Sequence, residues 1–202
     1  MPAKTPAPTT LTGGQVRLEP LTLDHIPDLF AAGGNDEEVW RWLPVGTPRT
    51  EEELRAVAAG LLARAPHQIA FAVIHLGTGR AVGWTTYHEI DTRDERLEIG
   101  WTWYGRAYWR TGVNTESKLL LLTHAFEDLG MGRVQWRTDI FNQRSQNAIL
   151  RLGAQPEGVH RRERLRSDGS WRDTAYFSLL ADEWPPARAR LGARLTELLA
   201  KG

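Results

Sequence analysis

Polar and apolar positions alternate from Gln15 to Leu21, where Val16 and Leu18 oppose Arg17 and Glu19, and this predicts a first strand. Thr22 or Asp24 can cap a helix reaching about Ala32, with Pro27 tolerated near its first turn. Gly33 to Pro48 follows no period and carries Trp40, Trp42 and Leu43, aromatics that either line a pocket or lid the core. Thr50 and Glu53 have capping-box spacing and predict a helix to about Arg64. Gln68 to Leu76 and Ala81 to Glu89 read as strands around a turn at Gly77 to Arg80. The next strand, Leu97 to Tyr104, is expected to set Leu97, Ile99, Trp101 and Trp103 on one face and Glu98, Gly100 and Thr102 on the other.

A loop from Gly105 to Asn114 then leads into a helix over Thr115 to Leu129, striped by Leu119, Leu122, Ala125 and Phe126. Arg133 to Thr138 reads as a strand, and Asn142 caps a short helix reaching Arg151. Two antiparallel strands between Ala154 and about Leu180 flank a turn at Asp168–Gly169, and residues 184–201 form a last helix. The order predicts an α+β fold with a mixed sheet of about seven strands. No linker divides it, so a single domain is expected over 13–202, behind a flexible tail at 1–12.

Composition narrows the function classes. Lys plus Arg equals Asp plus Glu at 25 each, so net charge gives no reason to expect a nucleic-acid partner. The absence of cysteine removes disulfides and thiolate chemistry and suits a cytoplasmic protein. There is no run of apolar residues long enough for a membrane span or a signal peptide. The six histidines show no metal-ligand spacing, so no metal site is expected.

Three places can carry chemistry. The loop after the Leu97–Tyr104 strand holds Arg106, Arg110, Thr111 and Gly112 before a helix start, where free amides can wrap a phosphate; it can equally be a solvated connection. Asn142, Arg144, Ser145 and Asn147 gather at another helix start, as donors to a ligand or as capping residues. Glu98 faces away from the predicted apolar side of its strand, as a proton acceptor or an ion-pair partner. Glu116 reads as a capping residue. Arginines 161, 162, 164, 166 and 172 crowd the last hairpin, to hold an acidic substrate or RNA, or as a solvated face.

Taken together, Leu97-Glu98-Ile99-Gly100-Trp101, Trp109 to Lys118, His124 to Gly130, Thr138 to Ser145 and Leu152 to Gly158 resemble the GNAT superfamily of N-acetyltransferases, in its RimJ/RimL-like branch. That resemblance implies a mostly antiparallel sheet splayed between its fourth and fifth strands, with acetyl-CoA in the opening. It implies cofactor contacts from Trp101, Thr102 and Trp103 on the strand, and from Asn142 and Ser145. In the loop it implies Trp109, Arg110, Thr111, Gly112, Val113, Asn114 and Thr115. The family's phosphate pattern of a polar or basic residue, Gly and Gly/Ala falls on Trp109, Gly112 and Asn114, so only the central glycine is kept.

The resemblance further implies direct transfer of an acetyl group to a primary amine. Glu98 is the expected base, Ser145 the expected acid to the departing thiolate, and amides near Trp101 the expected donors to the carbonyl. The acceptor is an amine-bearing small molecule or a protein N-terminus, and a homodimer is one expected assembly. Hairpin arginines facing the cleft favour an acidic acceptor; a cleft lined by Glu and Asp favours a polyamine. A coenzyme-A-binding regulator without turnover and a ribosome- or RNA-associated module are the alternatives.

Overall fold

The computed structural model describes residues 2–166 and 168–200. Its strands are β1 (Leu11–Thr12), β2 (Val16–Pro20), β3 (Ile69–His75), β4 (Arg80–Asp91), β5 (Arg96–Tyr104), β6 (Arg133–Asp139), β7 (Gln155–Leu165) and β8 (Trp171–Leu180). They form one sheet in the order β1-β2-β3-β4-β5-β6-β8-β7, antiparallel throughout except between β5 and β6. The helices are α1 (Ile26–Leu29), α2 (Glu37–Trp40), α3 (Glu51–Leu62), α4 (Gly112–Thr123), α5 (Gln143–Arg151) and α6 (Trp184–Leu199). None of the described helices is long and apolar enough to cross a membrane.

Alternation along the strands sends side chains to two apolar clusters. Val16, Leu18, Phe71, Val73, Leu97 and Ile99 pack with Leu121, Leu122 and Ala125 of the α4 segment. Ala70, Ala72, Ile74 and Trp84 pack with Ile26, Leu29, Trp40 and Leu54 of α1 to α3. Trp40 is fully buried, its ring 5.7 Å from that of Trp84 and 5.5 Å from that of Trp103, and its Nε1 donates to the Gly33 carbonyl at 3.0 Å. It is therefore a core residue, while its neighbour Trp42 lines the cleft described below.

Capping chemistry places α3 where the sequence predicts it: Thr50 Oγ1 accepts the Glu53 amide at 3.2 Å, and Glu53 reaches back to the Arg49 amide at 2.6 Å. Three expectations shift. An eighth strand appears because Leu11–Thr12 pairs with Arg17–Leu18. The segment expected to be a loose tail is held to the domain, with Pro6 buried and the Lys4 amide bonded to Leu129 O at 2.8 Å. The long helix begins at Gly112 rather than Thr115, because Thr111 Oγ1 caps it through the Val113 amide. The last helix is described to Leu199, and Lys201, included in its expected span, lies outside the described residues.

The faces of β5 differ from simple alternation. Trp84 pairs with Trp103 and Thr86 with Gly100, so three residue steps on β5 oppose two on β4. This bulge, with Trp101 at φ +52°, inserts one residue and reverses which side the rest of the strand faces. Leu97 and Ile99 lie in the α4 cluster, but Trp103 lies in the opposite one. The four residues expected on one face are therefore divided between two.

Candidate active site

The β5–β6 ladder lasts three residues, Arg96↔Arg133, Leu97↔Val134 and Glu98↔Gln135. β6 then continues against β8 as far as Asp139, and β5 continues against β4 to Tyr104, so the two strands part beyond Glu98. The parting frees the backbone groups of one edge of β5, at the bulge, for another partner. A cleft of about 1680 Å³ opens there, lined by Glu98, Trp101, Thr102, Trp103, Trp109, Thr111, Asn114, Asn142 and Ser145 among others. Two glycines permit the crowding around it. A Cβ on Gly83 would sit 2.1 Å from Trp103 O, and one on Gly100 would sit 2.3 Å from His88 Nε2.

The loop at the far end is rigidly built. Trp109 Nε1 donates to Tyr104 O at 2.8 Å, Thr111 Oγ1 donates to Tyr108 O at 2.7 Å, and Arg110 takes φ +61°. The first amides of α4, a twelve-residue helix, have no acceptor within the helix. Trp109 stands where the resemblance implies a polar or basic residue, and two guanidiniums lie beside its ring. The Arg144 guanidinium stacks 3.8 Å from the Trp109 ring and that of Arg106 lies 5.9 Å from it. Gly112 and Val113, expected to contact the cofactor, are buried and do not line the cleft; a Cβ on Gly112 would meet Gln15 Nε2 at 2.2 Å. Arg110 and Thr115 also line the cleft.

On the α5 side, Asn142 Oδ1 caps the helix through the Ser145 amide at 3.1 Å. That bond fixes the first turn and brings Ser145 to the cleft wall. Asp139, just before, is gripped by Arg166 at 2.6 and 3.1 Å, which ties the β7–β8 hairpin to the end of β6.

Glu98 is only 2% exposed. Arg137 Nε lies 3.0 Å from its Oε1 and Gln135 Nε2 donates to its Oε2 at 3.1 Å. Burial pushes the carboxyl up to about 7 despite the opposing pull of Arg137 and Gln135, and Glu89 adds to the rise. His88 Nε2 lies 3.3 Å from Glu98 Oε1 without hydrogen-bond alignment. Burial, with Arg137, Arg64 and Arg164 nearby, pulls the imidazole down to about 3, so it stays neutral. A carboxyl poised near neutrality on a cleft wall suits proton abstraction.

Glu116, which the sequence suggests as a capping residue, and Lys118, to which it assigns no role, are both buried. Glu116 accepts the amides of Gly14, Gln15 and Val16 at 2.7, 2.7 and 2.8 Å, so it anchors the N-terminal strand rather than capping its own helix. Lys118 donates to Thr85 Oγ1 at 3.0 Å and Thr102 Oγ1 at 2.8 Å, beneath the bulge. Burial pulls its amine down to about 7. Between that value and 10.5 the unfolded chain holds a proton that the folded chain has released, so this lysine makes stability rise with pH there. Lys118→Met is expected to flatten that rise in urea unfolding; an unchanged pH slope would show that the amine keeps its charge when folded.

Comparisons with known proteins agree with this fold. The family model described as "Acetyltransferase (GNAT) domain" matches residues 15–155. YdaF of Bacillus subtilis strain 168, named as a candidate ribosomal N-acetyltransferase, is 32% identical over 106 residues. That match covers 52% of this chain, and the chain spans 57% of the length of YdaF. The crystal structure of a GCN5-related N-acetyltransferase from Brucella melitensis superposes with a TM-score of 0.91 at 31% identity, covering 96% of this chain and 88% of that one. Mycobacterium smegmatis RimJ, solved in complex with CoA-disulfide, shares the fold with a TM-score of 0.79 at 23% identity, covering 93% of this chain and 95% of that one. With the family match spanning the sheet from β2 to the start of β7, and the parted strands at its centre, this chain belongs to the GNAT acetyltransferase family.

Proposed function

We propose that the chain transfers an acetyl group from acetyl-CoA to a primary amine in the cleft between β5 and β6, in the manner of the RimJ/RimL-like branch. The observation that carries this reading is the parting of β5 from β6 after Glu98, with a bulge at Trp101 on the freed edge. A pantetheine arm needs an extended backbone edge to bond along, and a thioester carbonyl needs amide donors where charge develops. The freed β5 edge suits the first and the bulge suits the second. The α4 amides, flanked by Arg110 and the Arg144–Trp109 stack, suit a pyrophosphate.

In the proposed reaction Glu98, directly or through water, accepts a proton from the acceptor ammonium. The neutral nitrogen forms a C–N bond at the acetyl carbonyl while amides near Trp101 stabilise the oxyanion. As the C–S bond breaks, Ser145 gives its hydroxyl proton to the thiolate, and its oxygen regains a proton from the nitrogen of the forming amide, directly or through water, so that the products are the neutral amide, the free thiol and the proton held by Glu98. The acceptor is an amine-bearing small molecule or a protein N-terminus, and the name of YdaF is the support for the latter.

Purified protein incubated with labelled acetyl-CoA and a panel of amines and peptides, read by mass spectrometry, tests the reading. Calorimetry should show acetyl-CoA binding, and a protein that binds it without forming any product would be a coenzyme-A-binding protein instead. Ser145→Ala is expected to keep acetyl-CoA affinity while kcat falls about 10²-fold, the lower end of what a positioned proton donor contributes. Unchanged kcat would remove Ser145 from the mechanism.

A further inference from the structure

On the acceptor side of the cleft, β7 and β8 bring two arginines face to face. Arg164 is registered directly opposite Arg172, and both line the cleft. Like charges directly opposite on neighbouring strands repel, and a sheet normally avoids them. The arrangement arises from an irregularity: the register slips between His160 and Arg164, and Arg162 takes φ +52°. Arg172 is half-buried, and its Nε is enclosed with no hydrogen-bond partner among the described residues.

The nearby acids are already engaged. Asp139 is held by Arg166, Glu163 accepts from the Tyr176 hydroxyl, and Glu89 and Glu98 share Arg137. Among the described residues, no carboxylate lies within 4.0 Å of a guanidinium nitrogen of Arg64, Arg164 or Arg172. Arg64 also lines the cleft, its guanidinium 5.6 Å from the ring of Trp101 at the bulge. Burial pulls Arg172 below its ordinary value; the attraction of Asp139 and Glu163 opposes the fall, and the repulsion of Arg164 and Arg137 adds to it.

We infer that the cross-strand pair Arg164–Arg172 is an anion-binding subsite, and that the acceptor is a primary amine carrying a carboxylate. The guanidinium pair grips the carboxylate while the amine is presented to Glu98. Bidentate guanidinium–carboxylate contacts fix orientation as well as charge, which a small acceptor in a wide cleft requires. The inference rests on the transferase reading for its acceptor but not for its anion site. The carboxylate can be that of a free amino acid or of an acidic side chain next to a peptide N-terminus, and the two sources are distinguishable.

The test pairs each acceptor with its uncharged counterpart: an α-amino acid against its amide, and peptides with aspartate at the second position against asparagine. The expected kcat/KM ratio of carboxylate to amide is at least tenfold, set in KM, for one pair or the other. Arg172→Gln and Arg164→Gln are each expected to bring that ratio towards one while acetyl-CoA affinity holds. Arg164 is exposed, so its variant serves even if Arg172→Gln folds poorly. Binding of the N-acetylated products and their amides to the coenzyme-A-loaded protein gives a readout independent of turnover. Equal ratios and equal product affinities would overturn the inference; tighter binding of the anionic products without any turnover would uphold the anion site and overturn the transferase reading.

Discussion

Glu98→Gln is expected to lower kcat/KM by about 10²- to 10⁴-fold, the usual worth of a general base. The amide keeps the size of the carboxyl, and its one oxygen can still accept from Arg137, which lies 3.0 Å from the native Oε1, while its NH2 replaces the oxygen 3.1 Å from the Gln135 amide, which must turn its own oxygen to meet it. What it loses is the ability to take a proton. The pH profile supplies the sign. With its carboxyl held up to about 7 by burial, Glu98 is mostly protonated below that pH and ionised above it. Wild-type kcat/KM should therefore climb with pH through about 7 and then level for this group. Deprotonation of the acceptor amine adds its own dependence, so the comparison uses one acceptor for both proteins. The variant should keep the acceptor's limb and lack the limb near 7. A glutamine variant with the full wild-type profile would remove Glu98 from the chemistry and leave it as the partner of Arg137.

Glu116→Ala should produce a large loss of stability. Its carboxylate is 5% exposed and accepts three consecutive amides from Gly14 to Val16. Hydrogen bonds to a charged group contribute about 1.5–3 kcal/mol each, and part is recovered when water reaches the freed amides, so a net loss of about 3–4 kcal/mol is expected. In a chain of this length that lowers Tm by roughly 6–16 °C. Calorimetric melting measures it directly. The change should also weaken acetyl-CoA binding, because Gln15 packs against Gly112 under the loop that precedes α4. An unchanged Tm would mean that the N-terminal segment is held by β1 and β2 pairing alone.

Much of this could be read along the chain because it is local. Thr50 and Asn142 announce their helices, since a cap is a contact between residues three apart. The strand Leu97–Tyr104 is evident from its period, and the helix over Leu119–Phe126 from its stripe. The bulge was not legible: an extra residue shows only against a partner strand, and β4 supplies that partner through Trp84 and Thr86. Trp109 looked like the loss of a phosphate-binding residue. Arg144, thirty-five positions later in the chain, puts a guanidinium on its ring.

By itself, then, the sequence determined the order of seven of the eight strands, the starts of α3 and α5 and a set of short motifs whose spacing marks an acetyltransferase, since backbone periodicity and capping act over a few residues. Tertiary structure alone decided the state and partners of the buried charges. Glu98 reaches near-neutral acidity through burial beside Arg137, Glu116 serves a strand a hundred residues away, and Arg164 meets Arg172 through strand register. Desolvation and charge pairing depend on distances in space, and chain position does not encode those until the sheet has closed.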